Sequence, residues 1–257
     1  MVDQKHKTVV ISGASAGIGL ATAEVFAAAG WRLALGARRT DRLEVARAAL
    51  LKLGAAEVFC SALDVTDSAS VSAFASAVQG RFGAIDVLVN NAGLALGVDR
   101  LATVSERDWT QVLETNVSGV LRMIRSFLPT MIESGRGHVI NMGSIAGKVV
   151  YEGGSVYCAS KHAVRAITST LRLEVHGTGI RVTSIDPGMV ETEFSEVRFG
   201  DREKARSVYK GMTPLTARDI AECVHFAANR PPHVNIEDIT LMPVDQSAVH
   251  KVHRRDP

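Results

Sequence analysis

Short, almost wholly apolar runs alternate with amphipathic stretches along most of this chain, and no other feature restricts its fold as much. "TVVIS" is followed by residues 17–29, "RLALGA" by 41–53 and "EVFCSAL" by 67–81, before "IDVLVNN". A strand that is apolar on both faces needs cover on both, and crossover helices between parallel neighbours provide it. The pattern predicts repeated βαβ units around one parallel sheet. It continues with a helical region from Ser105 to about Glu133, the strand "GHVINMGS", a helix from about Ser155 to His176, and the strand "IRVTSIDPG". Within 105–133, Trp109, Val112, Leu113, Val117, Val120, Leu121, Ile124 and Leu128 recur at threes and fours, as one buried helix face would.

After Pro187 the texture changes. Residues 189–213 are richer in charge and poorer in periodicity, ahead of a final helix near 216–229 and the short run "ITLMP". An insertion at this point hangs over the carboxyl ends of the strands, where open α/β sheets bind ligands, so it reads as a lid. No repeat, low-complexity tract or linker divides the chain, and residues 1–257 are expected to form one domain.

The charges nearly cancel, with 29 Lys and Arg against 27 Asp and Glu, which leaves no field directed at nucleic acid or an acidic membrane. Small molecules are the expected partners. Cys60, Cys158 and Cys223 are widely spaced and the histidines are scattered, so no metal site is assigned. The first apolar run is too short for a signal-peptide core or a membrane span. A soluble protein of the reducing cytoplasm is the expectation, with Cys158 serving as packing.

"TVVISGASAGIGLA" joins a strand to a helix start through Gly13, Gly17 and Gly19. Glycine allows positive φ and a close phosphate approach, while the free N–H groups of a helix start bind the phosphate. The spacing is GxxxGxG rather than GxGxxG, and its strand-to-helix setting is what points to a dinucleotide. The second strand ends with Ala37, Arg38 and Arg39, and no carboxylate follows until Asp41. A free ribose usually meets an acidic residue here, whereas a 2′-phosphate needs cations, so NADP is favoured over NAD. Arginines capping an exposed loop are the plainer alternative.

In "SVYCASKHAV", Tyr157 and Lys161 stand four apart, on one helix face. Two solvated side chains would look the same. A phenol whose pKa is drawn down from ~10 by a neighbouring ammonium and an oxidised nicotinamide would instead be able to exchange a proton near neutral pH. Ser144, ending "VINMGS", could hold an oxygen on which charge develops.

These segments together resemble the short-chain dehydrogenase/reductase family over nearly the whole length. "SGASAGIG" looks like its glycine turn, with Ser12 where Thr is more usual; "LDV" at 63–65 like its adenine contact; "NNAG" at 90–93 like its sheet-stabilising loop; and "PGMVET" at 187–192 like its nicotinamide-side loop. The resemblance implies a Rossmann-type, doubly wound parallel sheet with helices on both faces. It also implies a catalytic set of Asn116, Ser144, Tyr157 and Lys161. By the same resemblance the cofactor meets Gly13, Ser15, Gly17, Ile18, Gly19, Arg38, Arg39, Asp64, Val65, Asn91, Ala92, Gly93, Tyr157, Lys161, Pro187, Gly188, Val190 and Thr192. Asn116 would act through its backbone by holding a water that links Lys161 to solvent; periodicity alone makes it a polar residue on a buried helix.

"NNAGLALG", "GSVYCASKHAV", "GMVETEFSEVRF" and "LMPVDQSA" are similar to the branch of NADP-dependent 3-hydroxy acid dehydrogenases, which oxidise serine, allo-threonine and related acids at the β hydroxyl. Reductases of small anionic aldehydes such as sulfoacetaldehyde share much of this pattern. A substrate anion would need a cation near the lid, and Arg198 and Lys148 are the candidates, although solvated surface charges are the plainer reading of each. Tyr151 and Met189 could line the pocket or simply pack. A 3-oxoacyl thioester reductase is a rival within the class. A non-catalytic NADPH-binding regulator is a rival outside it, which the intact Ser144, Tyr157 and Lys161 set disfavours. The resemblance also implies a homotetramer assembled through the helices at 105–133 and 155–176.

Overall fold

The computed structural model describes residues 6–255. In chain order the elements are β1 (Thr8–Ser12), α1 (Gly17–Ala28), β2 (Arg32–Ala37), α2 (Thr40–Leu53), β3 (Glu57–Ala62), α3 (Ser68–Phe82), β4 (Val87–Asn90), α4 (Glu106–Leu113), α5 (Gly119–Glu133), β5 (Gly137–Met142), α6 (Ser155–Glu174) and β6 (Ile180–Pro187). They continue with β7 (Val190–Glu191), α7 (Glu193–Phe199), α8 (Arg202–Ser207), β8 (Leu215–Thr216), α9 (Ala217–Ala228), β9 (Asp238–Leu241), β10 (Gln246–Ala248) and β11 (Lys251–Val252). Seven strands form one parallel sheet in the order β3-β2-β1-β4-β5-β6-β9, so the winding reverses between β1 and β4. Such a reversal opens a crevice at the carboxyl ends of the strands.

Side chains alternate across this sheet. Val9 and Ile11 join Phe26, Leu43, Leu50, Ile220 and Val224 in one core layer, and the intervening Val10 joins Phe74, Val78, Phe127, Val164 and Leu171 in the other. Each central strand is buried on both faces, which is why "TVVIS" and "RLALGA" read as unbroken apolar runs. Helix starts follow cap chemistry: Asp67 accepts from Ala69 and Ser70 before α3, and Thr216 and Asp219 form a capping box before α9.

One reading from periodicity needs correction. The 105–133 region is not one regular helix, because α4 and α5 are joined by a π-helical turn, Glu114–Ser118. The wider turn shifts the helical phase, so Val112, Val120 and Ile124 are buried while Trp109, Leu113 and Leu121 stand exposed. The segment 189–213 holds two short capped helices, α7 behind Thr192 and α8 behind Asp201. Neither is long enough to show an apolar stripe. Parallel pairing of β7 with β8, Val190 to Leu215 and Glu191 to Thr216, ties the two ends of this excursion together.

His138 on β5 is fully buried, with Nε2 2.7 Å from the Thr183 hydroxyl. That hydroxyl donates its proton to the Ile236 carbonyl, so His138 must be the donor and is the neutral Nε2–H tautomer. Burial, aided by the charge of Arg181, pulls its pKa down from 6.5 to about 3. Between those values the unfolded chain binds a proton that the folded one excludes, so stability falls as pH falls, by up to ~1.4 kcal/mol per pH unit. His138→Gln should flatten this acid slope, read as a smaller change in urea midpoint between about pH 7 and about pH 4 than the parent shows.

Candidate active site

One cleft of about 790 Å³ lies over the β1/β4 reversal, and most residues singled out in the sequence border it. Its floor is the glycine turn. Gly13 and Gly17 have positive φ, 68° and 55°, and a Cβ on Gly13 would press on the Ala92 backbone and the Asn91 side chain. On Gly19 a Cβ would collide with the Gly13 carbonyl, so this glycine serves close packing within the turn. Ser12 is a residue whose role the sequence did not reveal. Its hydroxyl accepts from the backbone N–H groups of Asn91 and Ala92, both at 3.0 Å, while Asn91 Nδ2 donates to the Ser12 carbonyl at 2.9 Å. This double clasp fastens "NNAG" to the glycine turn.

Ala16, the N-cap of α1, has no side-chain oxygen to satisfy the helix start, which suits a phosphate there. Ser15, Gly17, Ile18, Arg38 and Arg39 border the cleft near that point. Arg39 donates to Glu193 at 2.9 Å and to the Ser15 hydroxyl at 3.2 Å, and Arg42 donates to the other Glu193 oxygen at 2.7 Å. These bonds draw the Glu193 carboxyl below its usual range. Asp64 and Val65 form the next wall. Burial pushes the Asp64 carboxyl up, but hydrogen bonds from the Thr66 hydroxyl and backbone, with the charges of Arg38 and Arg122, outweigh it and leave the pKa lowered. Opposite them, Pro187, Gly188, Val190 and Thr192 line the cleft; Met189 lines it too and donates through its N–H to Gln246 Oε1 at 2.9 Å, and Thr192 rests over Gly17.

Ser144, Tyr157 and Lys161 converge at the end of β5. Ser144, extended in backbone, accepts the Ala146 N–H on its hydroxyl at 3.0 Å, and that hydroxyl lies close enough to Tyr157 to draw the phenol's pKa down through a hydrogen bond. Lys161, one turn further on, donates from Nζ to the Met142 carbonyl at 2.8 Å, and its Nζ is 5.8 Å from the Tyr157 ring centre. The expectation that the ammonium draws the phenol's pKa down is not met in the protein alone. Burial, only partly offset by the Ser144 bond and the charge of Arg198, raises Tyr157 to about 12, and burial lowers Lys161 to about 8.

Asn116 is in the π turn, 1% exposed, with its side chain engaged on three sides: it accepts from Leu94 N–H at 2.9 Å and donates to Leu94 O at 2.8 Å and Ser160 Oγ at 3.0 Å. Gly93 packs between Asn116 Oδ1 and Lys161 Nζ.

Of the two cations considered for a substrate anion, one is in the cleft. Arg198 on α7 lies 5.5 Å from the Tyr151 ring centre and 5.8 Å from that of Tyr157, and donates to the Tyr151 hydroxyl and the Gly97 carbonyl, both at 3.0 Å. Lys148 does not border the cleft. Two carboxylates hold it elsewhere, Asp238 at 2.7 Å and Asp186 at 2.9 Å, so its charge is already matched. Phe194, tilted 58° against Tyr157, and Tyr209, Gln246, Val249 and His250 also border the site. Phe194 and Gln246 lie within "GMVETEFSEVRF" and "LMPVDQSA" but were not singled out there, and the sequence around Tyr209, Val249 and His250 carries no motif that could have announced them.

Comparison with known proteins places these features in context. The family model for short chain dehydrogenase matches residues 7–203. A serine 3-dehydrogenase of Rhizobium radiobacter is 44% identical over 241 residues, spanning 93% of this chain and 95% of the relative. An NADP-dependent 3-hydroxy acid dehydrogenase of Schizosaccharomyces pombe is 43% identical over 251 residues, 97% of each. A solved closed form of serine dehydrogenase complexed with NADP+ superimposes with a TM-score of 0.90 at 40% identity, covering 96% of this chain and 100% of the other.

Asn116→Ala would strip the Leu94 N–H and C=O of their partners in a buried setting. A loss of about 2–4 kcal/mol in unfolding free energy is expected for two orphaned groups, measured by urea denaturation with an unchanged m-value.

Proposed function

The chain belongs to the short-chain dehydrogenase family, and from that premise we propose that it moves hydride between NADP(H) and the hydroxyl or carbonyl carbon of a small 3-hydroxy acid, such as serine, allo-threonine or 3-hydroxypropionate. The observation that carries this reading is the Arg198 guanidinium beside the Tyr157 ring, 5.8 Å from its centre, in the cleft that also holds Ser144. A 3-hydroxy acid whose carboxylate meets Arg198 presents its hydroxyl oxygen, on the second carbon beyond the carboxylate, to the Ser144 and Tyr157 hydroxyls.

The cleft fits the cofactor. Gly13 and Gly17 allow a phosphate close approach, the Ala16 start of α1 leaves N–H groups for it, and Arg38 and Arg39 suit a 2′-phosphate. Asp64 and Val65 would flank the adenine, Asn91, Ala92 and Gly93 the middle of the cofactor, and Pro187, Gly188, Val190 and Thr192 its nicotinamide side. When bound, NADP supplies the hydride acceptor or donor and, in its oxidised form, a positive charge. In oxidation Tyr157 takes the alcohol proton, and in reduction it gives one back. Ser144 steadies the substrate oxygen as charge develops. Lys161 favours the phenolate, and the main chain of Asn116 holds a water leading from Lys161 toward solvent, the side chain being committed to Leu94 and Ser160. The 189–213 excursion serves as the substrate loop, since it brings Arg198 and Phe194 into the cleft.

A small anionic aldehyde, sulfoacetaldehyde among them, is the second reading, because a guanidinium takes a sulfonate as readily as a carboxylate. A homotetramer in the cytoplasm is part of the proposal. Trp109, Leu113 and Leu121 on α4 and α5, and Leu173 on α6, are exposed apolar groups that such an assembly would cover. No helix among the described residues is long and apolar enough to cross a membrane.

The direct test is NADP-linked turnover of serine, allo-threonine, 3-hydroxypropionate, 3-hydroxyisobutyrate and isethionate by the purified protein. Tyr157→Phe should lower kcat by roughly 10²–10⁴-fold on whichever substrate is used, with NADPH affinity by fluorescence titration unchanged. Normal turnover by that variant, or turnover confined to carrier thioesters, would refute the reading. Arg198→Met should raise KM for an anionic substrate by about 10–100-fold and leave an uncharged alcohol of the same size unaffected, as steady-state kinetics on the pair will show.

A further inference from the structure

Lys148 leads to a buried carboxylate behind the catalytic lysine. Asp186, near the end of β6, is 3% exposed. Its Oδ1 accepts from the Ser184 hydroxyl at 2.6 Å, and its Oδ2 is 2.9 Å from Lys148 Nζ. Lys148 also donates to Asp238 Oδ1 and Thr240 Oγ1 on β9, each at 2.7 Å.

The 142–148 stretch links this cluster to Lys161. A Cβ on Gly143 would overlap the Asp186 carboxylate, so that carboxylate lies directly against the chain at Gly143. The residue before it, Met142, receives the Lys161 ammonium on its carbonyl at 2.8 Å. Gly147, the neighbour of Lys148, packs against the Lys161 backbone. One short stretch, 142–148, therefore touches the ammonium and the carboxylate and supplies the carboxylate's counter-charge. The other groups facing this region are the neutral Tyr157 on α6, with Arg198 of α7 over its ring, and the uncharged Asn116 side chain in the π turn.

We propose that Asp186 is a positioning residue for proton transfer: it keeps the buried Lys161 cationic, and Lys148 sets how strongly it does so. The inference rests on the role given to Lys161 above. Burial alone disfavours the ammonium, and the charge of Asp186 is the opposing influence. Removing that charge takes away the opposing electrostatic influence, whereas removing Lys148 leaves the carboxylate less compensated. The two changes must act in opposite directions.

The test uses the full-length chain with lysines labelled with carbon-13 at Cε, the Lys161 signal being assigned by its loss in Lys161→Met. Asp186→Asn should lower the Lys161 titration midpoint by about one pH unit, and Lys148→Met should raise it by a similar amount. The alkaline limb of kcat/KM against pH should move with each midpoint. A purely structural role would lower activity without moving either limb. An unmoved midpoint in Asp186→Asn, or shifts of the same sign in both variants, overturns the proposal. If Asp186→Asn fails to fold, the upward shift in Lys148→Met is decisive alone, and its absence is equally fatal. Should Tyr157→Phe and Lys161→Met turn over normally, the functional reading falls instead, and the midpoints still report whether Asp186 acts on Lys161.

Discussion

Taking a lysine ammonium out of water at the end of β5 is the constraint around which the candidate active site is organised. The fall of Lys161 from 10.5 to about 8 corresponds to roughly 3 kcal/mol against the charged form. That disfavour is what remains after the surroundings have returned part of the lost hydration. The Met142 carbonyl provides one hydrogen bond, and the Tyr157 ring covers the ammonium from 5.8 Å. The parallel sheet makes this possible, since the end of β5, the start of α6 and the π turn meet where carbonyls and small residues can approach closely.

The same economy appears at the glycine turn. Ser12 satisfies two backbone N–H groups with one hydroxyl, and Asn91 answers by closing the Ser12 and Gly13 carbonyls. With that clasp in place, the Gly13 turn and the "NNAG" loop behave as one wall. Across the cleft, Glu193 of α7 grips Arg39 and Arg42, which joins the excursion over the strand ends to the region suited to the 2′-phosphate. These pairs are about half exposed, so they contribute little stability, but they align the excursion that presents Arg198.

Much of this was legible in the residues. The strands at Thr8–Ser12 and Arg32–Ala37 fall where the apolar runs are, since burial on both faces leaves no place for polar alternation. The glycine turn, the arginines after β2 and the Tyr157–Lys161 pair were equally plain, because backbone need and side-chain chemistry are local. The π turn was not. One extra residue per turn at Glu114–Ser118 leaves the apolar spacing helix-like on either side, so the exposure of Leu113 and Leu121 has no local signature.

Lys148 marks the boundary most sharply. Its segment was expected to border the pocket and so pointed to the substrate, and only the pairing of β6 with β9 brings Asp186 and Asp238 close enough to claim it. The charge state of the phenol divides in the same way. Spacing along the chain already puts a phenol and an ammonium on one helix face. That burial outweighs their attraction in the protein alone follows only from the folded packing, because desolvation depends on everything around a group and not on its neighbours along the chain.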